Sequence, residues 1–156
     1  MRTIEYRTID KAGWGDGPWQ SEPDKKQWEH MPTHLPCLIV RGPAGALCGY
    51  VGVPNGHPAY GVDYNHVDVD VHGGLTFAAR CQPSAEERGI CHKVELGESD
   101  DVWWLGFDCA HSGDLCPKMN SYPMHLRFID GDTYKDFAYV ENEVSKLAEQ
   151  LAAKTV

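Results

Sequence analysis

Hydrophobic and polar residues alternate strictly over residues 67–72, where three valines fall on one side and two aspartates and His72 fall on the other. Period-two alternation with β-branched residues is typical of a half-buried β-strand. The run enters Gly73-Gly74 and continues as residues 75–77. Paired glycines inside a strand mark a bulge or a close approach to the backbone, so we expect another group to lie against this one.

Two apolar runs lie within residues 37–53, separated by a Gly-Pro-Ala-Gly turn sequence at 42–45. This arrangement predicts a β-hairpin. A four-residue turn places Ile39 opposite Cys48 and puts Cys37 on the same face of the sheet as Cys48. The two thiols would then be near neighbours.

Residues 102–107 are continuously apolar and aromatic, which predicts a central strand that is buried on both faces. Neighbouring residues of a strand point to opposite faces, so Trp103 and Trp104 cannot both line one pocket. Residues 90–96 are a further strand candidate.

The C-terminal part of the chain has the clearest helical pattern. Val140, Val144 and Leu147 recur at helical spacing, and Thr133-Tyr134-Lys135-Asp136 resembles a capping box with Asp in place of Glu. These features predict a helix over residues 133–153.

The N-terminal residues 1–36 are rich in glycine and proline but also hold three tryptophans. Glycine and proline interrupt regular elements, whereas tryptophan favours burial, so this segment is predicted to be an ordered, irregular wrap. One short helix is expected over residues 21–28, with Ser21 as its cap and Pro23 in its first turn.

The predicted fold is one α+β domain over residues 1–156. It has a mainly antiparallel sheet within 37–130, with the 133–153 helix packed on it and the 1–36 wrap beside it. Helices and strands do not alternate along the chain, which argues against a doubly wound parallel sheet.

Acidic residues outnumber basic ones by 23 to 14, and the formal net charge is −9. Binding along a nucleic-acid duplex is driven by clustered basic charge, so the composition argues against duplex nucleic acid as a partner. The sequence opens without the apolar segment of a secretory signal and has no run long enough to span a bilayer. We therefore expect a cytoplasmic protein without a membrane partner and with reduced cysteines.

The strongest candidate for chemistry follows the 102–107 run, where Asp108, Cys109, His111 and Asp114 lie within seven residues. Asp108 and His111 are three residues apart, so one turn of chain would bring them together. Imidazole and carboxylate groups can hold one divalent metal such as zinc, or can act as acid and base without a metal. The predicted metal ligands are His72, Asp108, His111 and Asp114.

Two further arrangements of cysteine stay open as alternatives. Cys109 beside His111 could be a thiol nucleophile. A structural zinc site could be assembled from distant residues, namely Cys81, Cys91, His92 and Cys116.

The predicted ligand-binding residues combine glycine backbone, a hydroxyl, aromatic faces and a cation; they are Gly73, Gly74, Thr76, Tyr60, Trp104 and Arg80. Aromatic faces can stack on bases and sugars, and nearby basic residues could balance a phosphate. The same aromatic residues could equally fill the core of a glycine-rich domain.

Four short motifs occur at residues 22–25 (EPDK), 47–54 (LCGYVGVP), 71–77 (VHGGLTF) and 104–111 (WLGFDCAH). Together they resemble a family of small proteins associated with bacteriophages and prophages, especially actinobacterial ones. The family has no assigned activity, so the resemblance implies context and no residue roles. That context is a phage accessory protein in the host cytoplasm that modulates host processes, including defence.

The leading functional hypothesis is a hydrolase that acts on a small nucleotide-like or phosphate-bearing substrate. Its catalytic residues would be His72, Asp108 and His111. One alternative is a non-catalytic anti-defence protein that sequesters a nucleotide-derived immune signal. A second alternative is an acidic inhibitor that binds a host protein, and self-association into a homo-oligomer also stays open.

Overall fold

The computed structural model describes residues 1–82, 84–123 and 132–154, and it shows an antiparallel sheet with one helix packed on it. The strands are β1 (Ile4–Tyr6), β2 (Lys25–His30), β3 (Leu35–Arg41), β4 (Leu47–Pro54), β5 (Phe77–Arg80) and β6 (Val102–Asp108), and the helix is α1 (Phe137–Ala152). Short 3-10 helices lie at Ala12–Trp14, Pro18–Gln20, Tyr64–His66 and Pro117–Ser121. The strand order is β1-β2-β3-β4-β6-β5, with every neighbouring pair antiparallel. The predicted α+β class is confirmed.

Both faces of the sheet are covered. On one face, Ile39 and Val51 pack with Leu147 of α1 in the larger core. On the other face lies a smaller core formed by Leu38, Val40, Tyr50, Val102 and Trp104. Trp103 packs against the larger core and Trp104 lies in the smaller one, as the alternation along β6 predicts.

The predicted β3–β4 hairpin is present, but its register differs by one residue. Ile39 pairs with Gly49, and it is Val40 that pairs with Cys48. The turn is one residue longer than expected, because the amide of Gly42 donates to the carbonyl of Ala46 at 2.8 Å. A slip of one residue moves a side chain to the other face of a sheet. The prediction that Cys37 and Cys48 share a face is therefore wrong: Cys37 lies in the larger core and Cys48 packs against the smaller one.

The short helix predicted over residues 21–28 is wrong, because residues 21–24 are a turn and residues 25–28 belong to strand β2. Its residues pair with β1 on one side and β3 on the other. The sheet thus begins at Ile4, well before the predicted start at residue 37, and Trp14 and Trp19 are buried beside it. The N-terminal segment is ordered as predicted, but it is a part of the sheet rather than only a wrap.

The strand predicted over residues 67–72 is also absent, although its valines point inward and its aspartates are exposed as predicted. Side chains from the C-terminal part of the chain, rather than a neighbouring strand, form hydrogen bonds with the backbone of this segment. Gln150 accepts a hydrogen bond from the Asp70 amide at 2.6 Å and donates one to the Asp70 carbonyl at 2.8 Å. Lys154 donates to the Asp68 carbonyl at 2.8 Å. The segment therefore lies along α1, and the next strand, β5, begins only at Phe77.

The C-terminal helix is confirmed, but it begins at Phe137 rather than at residue 133. Asp136 is the residue that caps it, since its carboxylate accepts a hydrogen bond from the Tyr139 amide at 2.9 Å. Thr133 instead forms a parallel bridge with Asp114. Thr133 was therefore wrongly predicted as a capping residue, and it pairs with the 108–114 loop instead.

The 90–96 segment is not a strand, because side chains of β2 hold it. Gln27 accepts from the Lys93 amide at 2.7 Å, and Lys25 donates to the carbonyls of Gly89 at 2.8 Å and Cys91 at 2.9 Å. Cys81 and Cys91 form a disulfide across this loop, with Cα atoms 4.8 Å apart. The expectation of reduced cysteines is therefore wrong for this pair, and the other four cysteines are free.

Candidate metal centre

A group of imidazoles and carboxylates lies where β6 ends; we call His72, Asp108, His111 and Asp114 the His–Asp cluster. Asp108 is the last residue of β6, and His72 comes from the segment that lies along α1. The cluster therefore joins two parts of the chain that the sequence separates by more than thirty residues. All four members were predicted from the sequence as metal ligands, and the structure brings them together.

The loop after β6 is shaped by short-range hydrogen bonds. The Asp108 carboxylate accepts from the Ala110 amide at 3.0 Å and from the Thr76 hydroxyl at 3.1 Å. The Asp114 amide donates to the His111 carbonyl at 2.9 Å, and Gly113 takes a positive φ of 92°. This tight turn brings the His111 ring back toward both carboxylates.

Asp114 is the buried centre of the cluster, with only 2% of its surface exposed. Its Oδ2 accepts hydrogen bonds from His72 Nε2 at 2.8 Å and from the His111 amide at 3.1 Å. Its Oδ1 lies 3.1 Å from Lys135 Nζ. Burial raises the pKa of this carboxyl, but the hydrogen bonds from His72, His111 and Lys135 outweigh burial and leave the pKa below its usual value. Asp114 is therefore a carboxylate at neutral pH.

Two side chains of helix α1 hold His72 in its orientation. Its Nδ1 lies 2.8 Å from the Tyr139 hydroxyl, and its backbone amide donates to Glu143 Oε1 at 2.9 Å. Tyr139 and Glu143 are four residues apart, so they lie on the same side of the helix. Burial, with the nearby Glu143 charge next, raises the pKa of Tyr139 above its usual value. The tyrosine hydroxyl is therefore a neutral hydrogen-bond partner that fixes the orientation of the His72 ring.

His111 differs from the other members because its Nδ1 is buried and has no hydrogen-bond partner among the described residues. This nitrogen is 3.5 Å from Asp108 Oδ1 and 3.7 Å from Asp114 Oδ2, which is too far for a good hydrogen bond. Gly73 makes room for the ring, since a Cβ at that position would lie 2.4 Å from His111 Cε1. Gly73 also has a φ of 67°, which favours glycine. The close backbone approach predicted from the paired glycines is therefore to His111.

One ligand atom from each of His72, His111 and Asp114 lies within 4.8 Å of the other two. A zinc ion at ordinary bond lengths holds its ligand atoms about 3.4 Å apart. The widest separation in the group would therefore need to shrink by up to about 1.4 Å, whereas His72 Nε2 and Asp114 Oδ2, now 2.8 Å apart, would need to move slightly apart. The nitrogen of His111 is the ligand without a competing hydrogen bond. Two imidazoles, one carboxylate and an open position are a donor set that suits zinc.

The predicted ligand-binding residues fall into two groups. Gly73, Gly74 and Thr76 are adjacent to the cluster in the chain, and Thr76 contacts Asp108. The other three are elsewhere. Arg80 lies 5.7 Å from the Tyr60 ring and pairs with Trp103 near the start of β6, at the end opposite Asp108. Trp104 is fully buried in the smaller core.

Lys135, Tyr139 and Glu143 contact the cluster but were not among the predicted site residues. Each comes from the C-terminal part of the chain, far in sequence from the motifs around His72 and His111. The spacing of Tyr139 and Glu143 on one side of the predicted helix was the only available signal, and many surface residues share it.

The two cysteine alternatives gain no support from the geometry. Cys109 is buried in the larger core, and burial raises the pKa of its thiol far above the usual value. A nucleophilic cysteine needs the opposite shift. The disulfide between Cys81 and Cys91 removes both thiolates from the proposed structural zinc set, and Cys116 is buried in the larger core.

Comparison of the chain with protein-family models, curated proteins and solved structures finds no match. None of the helices in the described parts of the chain is long and apolar enough to cross a membrane. The functional argument therefore depends on the geometry of the cluster alone.

Proposed function

We propose that the protein is a hydrolase that binds one divalent metal ion, zinc in the first instance, through His72, His111 and Asp114. The observation that carries the proposal is the buried Nδ1 of His111, which has no hydrogen-bond partner in the described residues yet faces two carboxylates. A buried polar atom without a partner costs about 1–3 kcal/mol. A metal ion at this position would remove that cost, because it would use the nitrogen as a ligand.

Each proposed ligand has a separate group that holds its other end. His72 would bind through Nε2 while Tyr139 holds its Nδ1. Asp114 would bind through Oδ2, the atom near both imidazoles, while Lys135 holds its Oδ1. Such outer hydrogen bonds fix the orientation of metal ligands, and their loss typically reduces metal affinity by about 10–100-fold.

Asp108 is the proposed base. It is the least buried carboxylate of the cluster, with 32% of its side chain exposed, and its Oδ1 lies 3.5 Å from His111 Nδ1. A bound zinc ion lowers the pKa of a coordinated water to about 7. Asp108 would then accept the proton of that water as it attacks the substrate.

The substrate in this proposal carries a phosphate. In a chain with a net charge of −9, the metal ion and Lys135 would be the cations that face the site. A divalent ion polarises a phosphoryl oxygen and offsets the negative charge of such a group. The phage context, the anti-defence role and the nucleotide nature of the substrate stay predictions, as do the sequestering and inhibitor alternatives.

The test is hydrolysis by metal-free protein to which zinc, manganese or magnesium is added back. The substrates are p-nitrophenyl phosphate, bis(p-nitrophenyl) phosphate and p-nitrophenyl acetate. We expect metal-dependent cleavage of a phosphate ester that is lost in His111→Ala and in Asp114→Asn. His66→Ala is the matched control, because the His66 side chain is exposed and no hydrogen bond or ion pair joins it to the cluster in the described residues.

Two results would overturn the proposal. Hydrolysis that persists unchanged after metal removal would show that the cluster works without a metal. Equal activity of His111→Ala and His66→Ala would show that the cluster is not the site. Cleavage of the acetate ester alone would contradict the phosphate substrate but would leave the proposed metal binding intact.

A further inference from the structure

A cavity of about 490 Å³ opens on the face of the sheet that α1 does not cover. Its floor is formed by Val40, Cys48 and Tyr50, which belong to the smaller core or pack against it. This volume lies within the usual range of small-molecule sites, about 300–1,000 Å³. None of the residues of the His–Asp cluster lines it.

The walls of the cavity are held in place by contacts from several segments. Trp14 forms one wall, and its carbonyl accepts a hydrogen bond from Asn120 at 2.9 Å. The amide of Lys118 donates to the Ala44 carbonyl at 3.2 Å, which attaches that wall to the β3–β4 turn. Lys25 fixes the opposite wall through the carbonyls of the disulfide loop. The cavity is therefore built in the free protein.

The charges around the cavity are all of one sign. Arg41, Arg88 and Lys118 line it, and no carboxylate does so among the described residues. Arg41 is already neutralised, because its Nε lies 3.0 Å from Asp24 Oδ1. Arg88 and Lys118 have no ion pair within the described residues, although the chain as a whole is acidic. Two uncompensated cations beside an apolar cavity favour an anion.

We propose that this cavity binds a small organic anion. An aromatic or branched apolar body would pack against Trp14 and Tyr50, and its acidic group would lie against Arg88 and Lys118. The proposal is independent of the hydrolase, because the two sites share no residue. Failure of either one leaves the other intact.

The probe is 8-anilinonaphthalene-1-sulfonate, an aromatic anion whose fluorescence rises in apolar surroundings. Its neutral analogue N-phenyl-1-naphthylamine has the same ring system without the sulfonate. We expect one molecule of the anion to bind per chain, and the double variant Arg88→Gln/Lys118→Gln to weaken its binding by about tenfold or more. Binding of the neutral analogue should not change in that variant.

A charge-matched control is the double variant Arg7→Gln/Arg80→Gln, which removes two exposed cations that do not line the cavity. It should bind the anion as the wild type does. Equal weakening in both double variants would show a general charge effect and would overturn the proposal. Binding that does not saturate would overturn it as well.

Cys48 reports on the location of the bound probe. It lines the cavity and is only partly buried, unlike the other three free cysteines. Burial raises its pKa to about 12, so its reaction with iodoacetamide will be slow and is best followed over hours by peptide mass spectrometry. Saturating anion should slow this alkylation further. An unchanged rate would show that the anion binds elsewhere and would contradict the proposal.

Discussion

Two buried aspartates, Asp24 and Asp114, are each only 2% exposed, but their surroundings differ. Asp24 Oδ1 binds Lys11 at 2.5 Å and Arg41 at 3.0 Å, and its Oδ2 accepts two backbone amides. Burial raises the pKa of Asp24, yet these hydrogen bonds bring it below the usual value. Asp114 also has a lowered pKa, but it stands beside His111, whose Nδ1 has no hydrogen-bond partner in the described residues.

The networks around Asp24 and Asp114 differ in whether a polar atom is left without a hydrogen-bond partner. Arg41 donates to Asp24, to the carbonyls of Pro23 and Gly45, and to the Tyr134 hydroxyl, so its guanidinium is saturated by the protein. A saturated buried network fixes the fold and has nothing left for a ligand. The His–Asp cluster is partly exposed, at 36% for His111 and 32% for Asp108, and the Nδ1 of His111 has no hydrogen-bond partner among the described residues. An unused polar atom is therefore a better guide to a site than a buried charge.

The largest effect should come from breaking the saturated network. Asp24→Ala would leave Lys11 buried without its counter-ion and Arg41 with only Glu22, 3.5 Å away, which should cost about 3–5 kcal/mol in the free energy of unfolding. Urea denaturation measures this loss, and Asp68→Ala, at an exposed position, is the control that should cost less than about 0.5 kcal/mol. A loss below about 1 kcal/mol for Asp24→Ala would remove the structural role given to this network.

The next effect concerns the unsaturated cluster. Zinc at about 100 times its dissociation constant should stabilise the wild type by about 2.7 kcal/mol, because it binds the folded state. The same zinc concentration should not stabilise Asp114→Asn, and it should stabilise Asp24→Asn as it does the wild type. Urea denaturation with and without zinc measures both. Equal stabilisation of all three proteins would contradict the difference between the two aspartates.

A smaller effect separates two neighbouring glycines. Gly73→Ala and Gly74→Ala should each cost about 1–2 kcal/mol, because both positions have positive φ values. Only Gly73→Ala pushes against the His111 ring, whereas nothing lies within 4 Å of a Cβ at Gly74. We therefore expect Gly73→Ala alone to weaken zinc binding, by about tenfold or more. Titration calorimetry gives the affinities, and equal values for the two variants would refute the positioning role of Gly73.

The smallest effect is the pH dependence of stability. Both aspartates have a pKa that folding lowers, so each contributes stability that is fully present above the unfolded pKa of about 3.9. That contribution is lost as the pH falls through the lower folded value. The stability deficits of Asp24→Asn and Asp114→Asn should therefore shrink as the pH falls below about 4. Denaturation curves between pH 3 and 7 measure the change, and a deficit that grows in acid would reverse the sign of this argument.

The sequence predicted the fold class and the members of the cluster, because both depend on local patterns. The apolar run of β6, the hairpin and the helical spacing of α1 are visible in short windows of residues. The clustering of Asp108, His111 and Asp114 in one loop is also local. His72 was grouped with them because it precedes paired glycines. The glycines indicated a close approach to the backbone but not which group approaches it.

The errors came from interactions between distant residues. Residues 67–72 have the alternation of a strand, but Gln150 and Lys154 of the C-terminal part satisfy their backbone instead of a neighbouring strand. The predicted register of the hairpin was wrong by one residue, because the hydrogen bond from the Gly42 amide to the Ala46 carbonyl makes the turn one residue longer. Lys25, which a short-range pattern assigned to a helix, is a strand residue that fixes the disulfide loop.

Native mass spectrometry of the untagged protein with added zinc tests the central claim most directly. The wild type and His66→Ala should each carry one zinc ion per chain, and His111→Ala should carry none under the same conditions. Denatured masses of the same samples give the mass of the bare chain for reference. A wild-type chain that binds no zinc, or a His111→Ala chain that binds it as the wild type does, would contradict the assignment of this cluster as a metal centre.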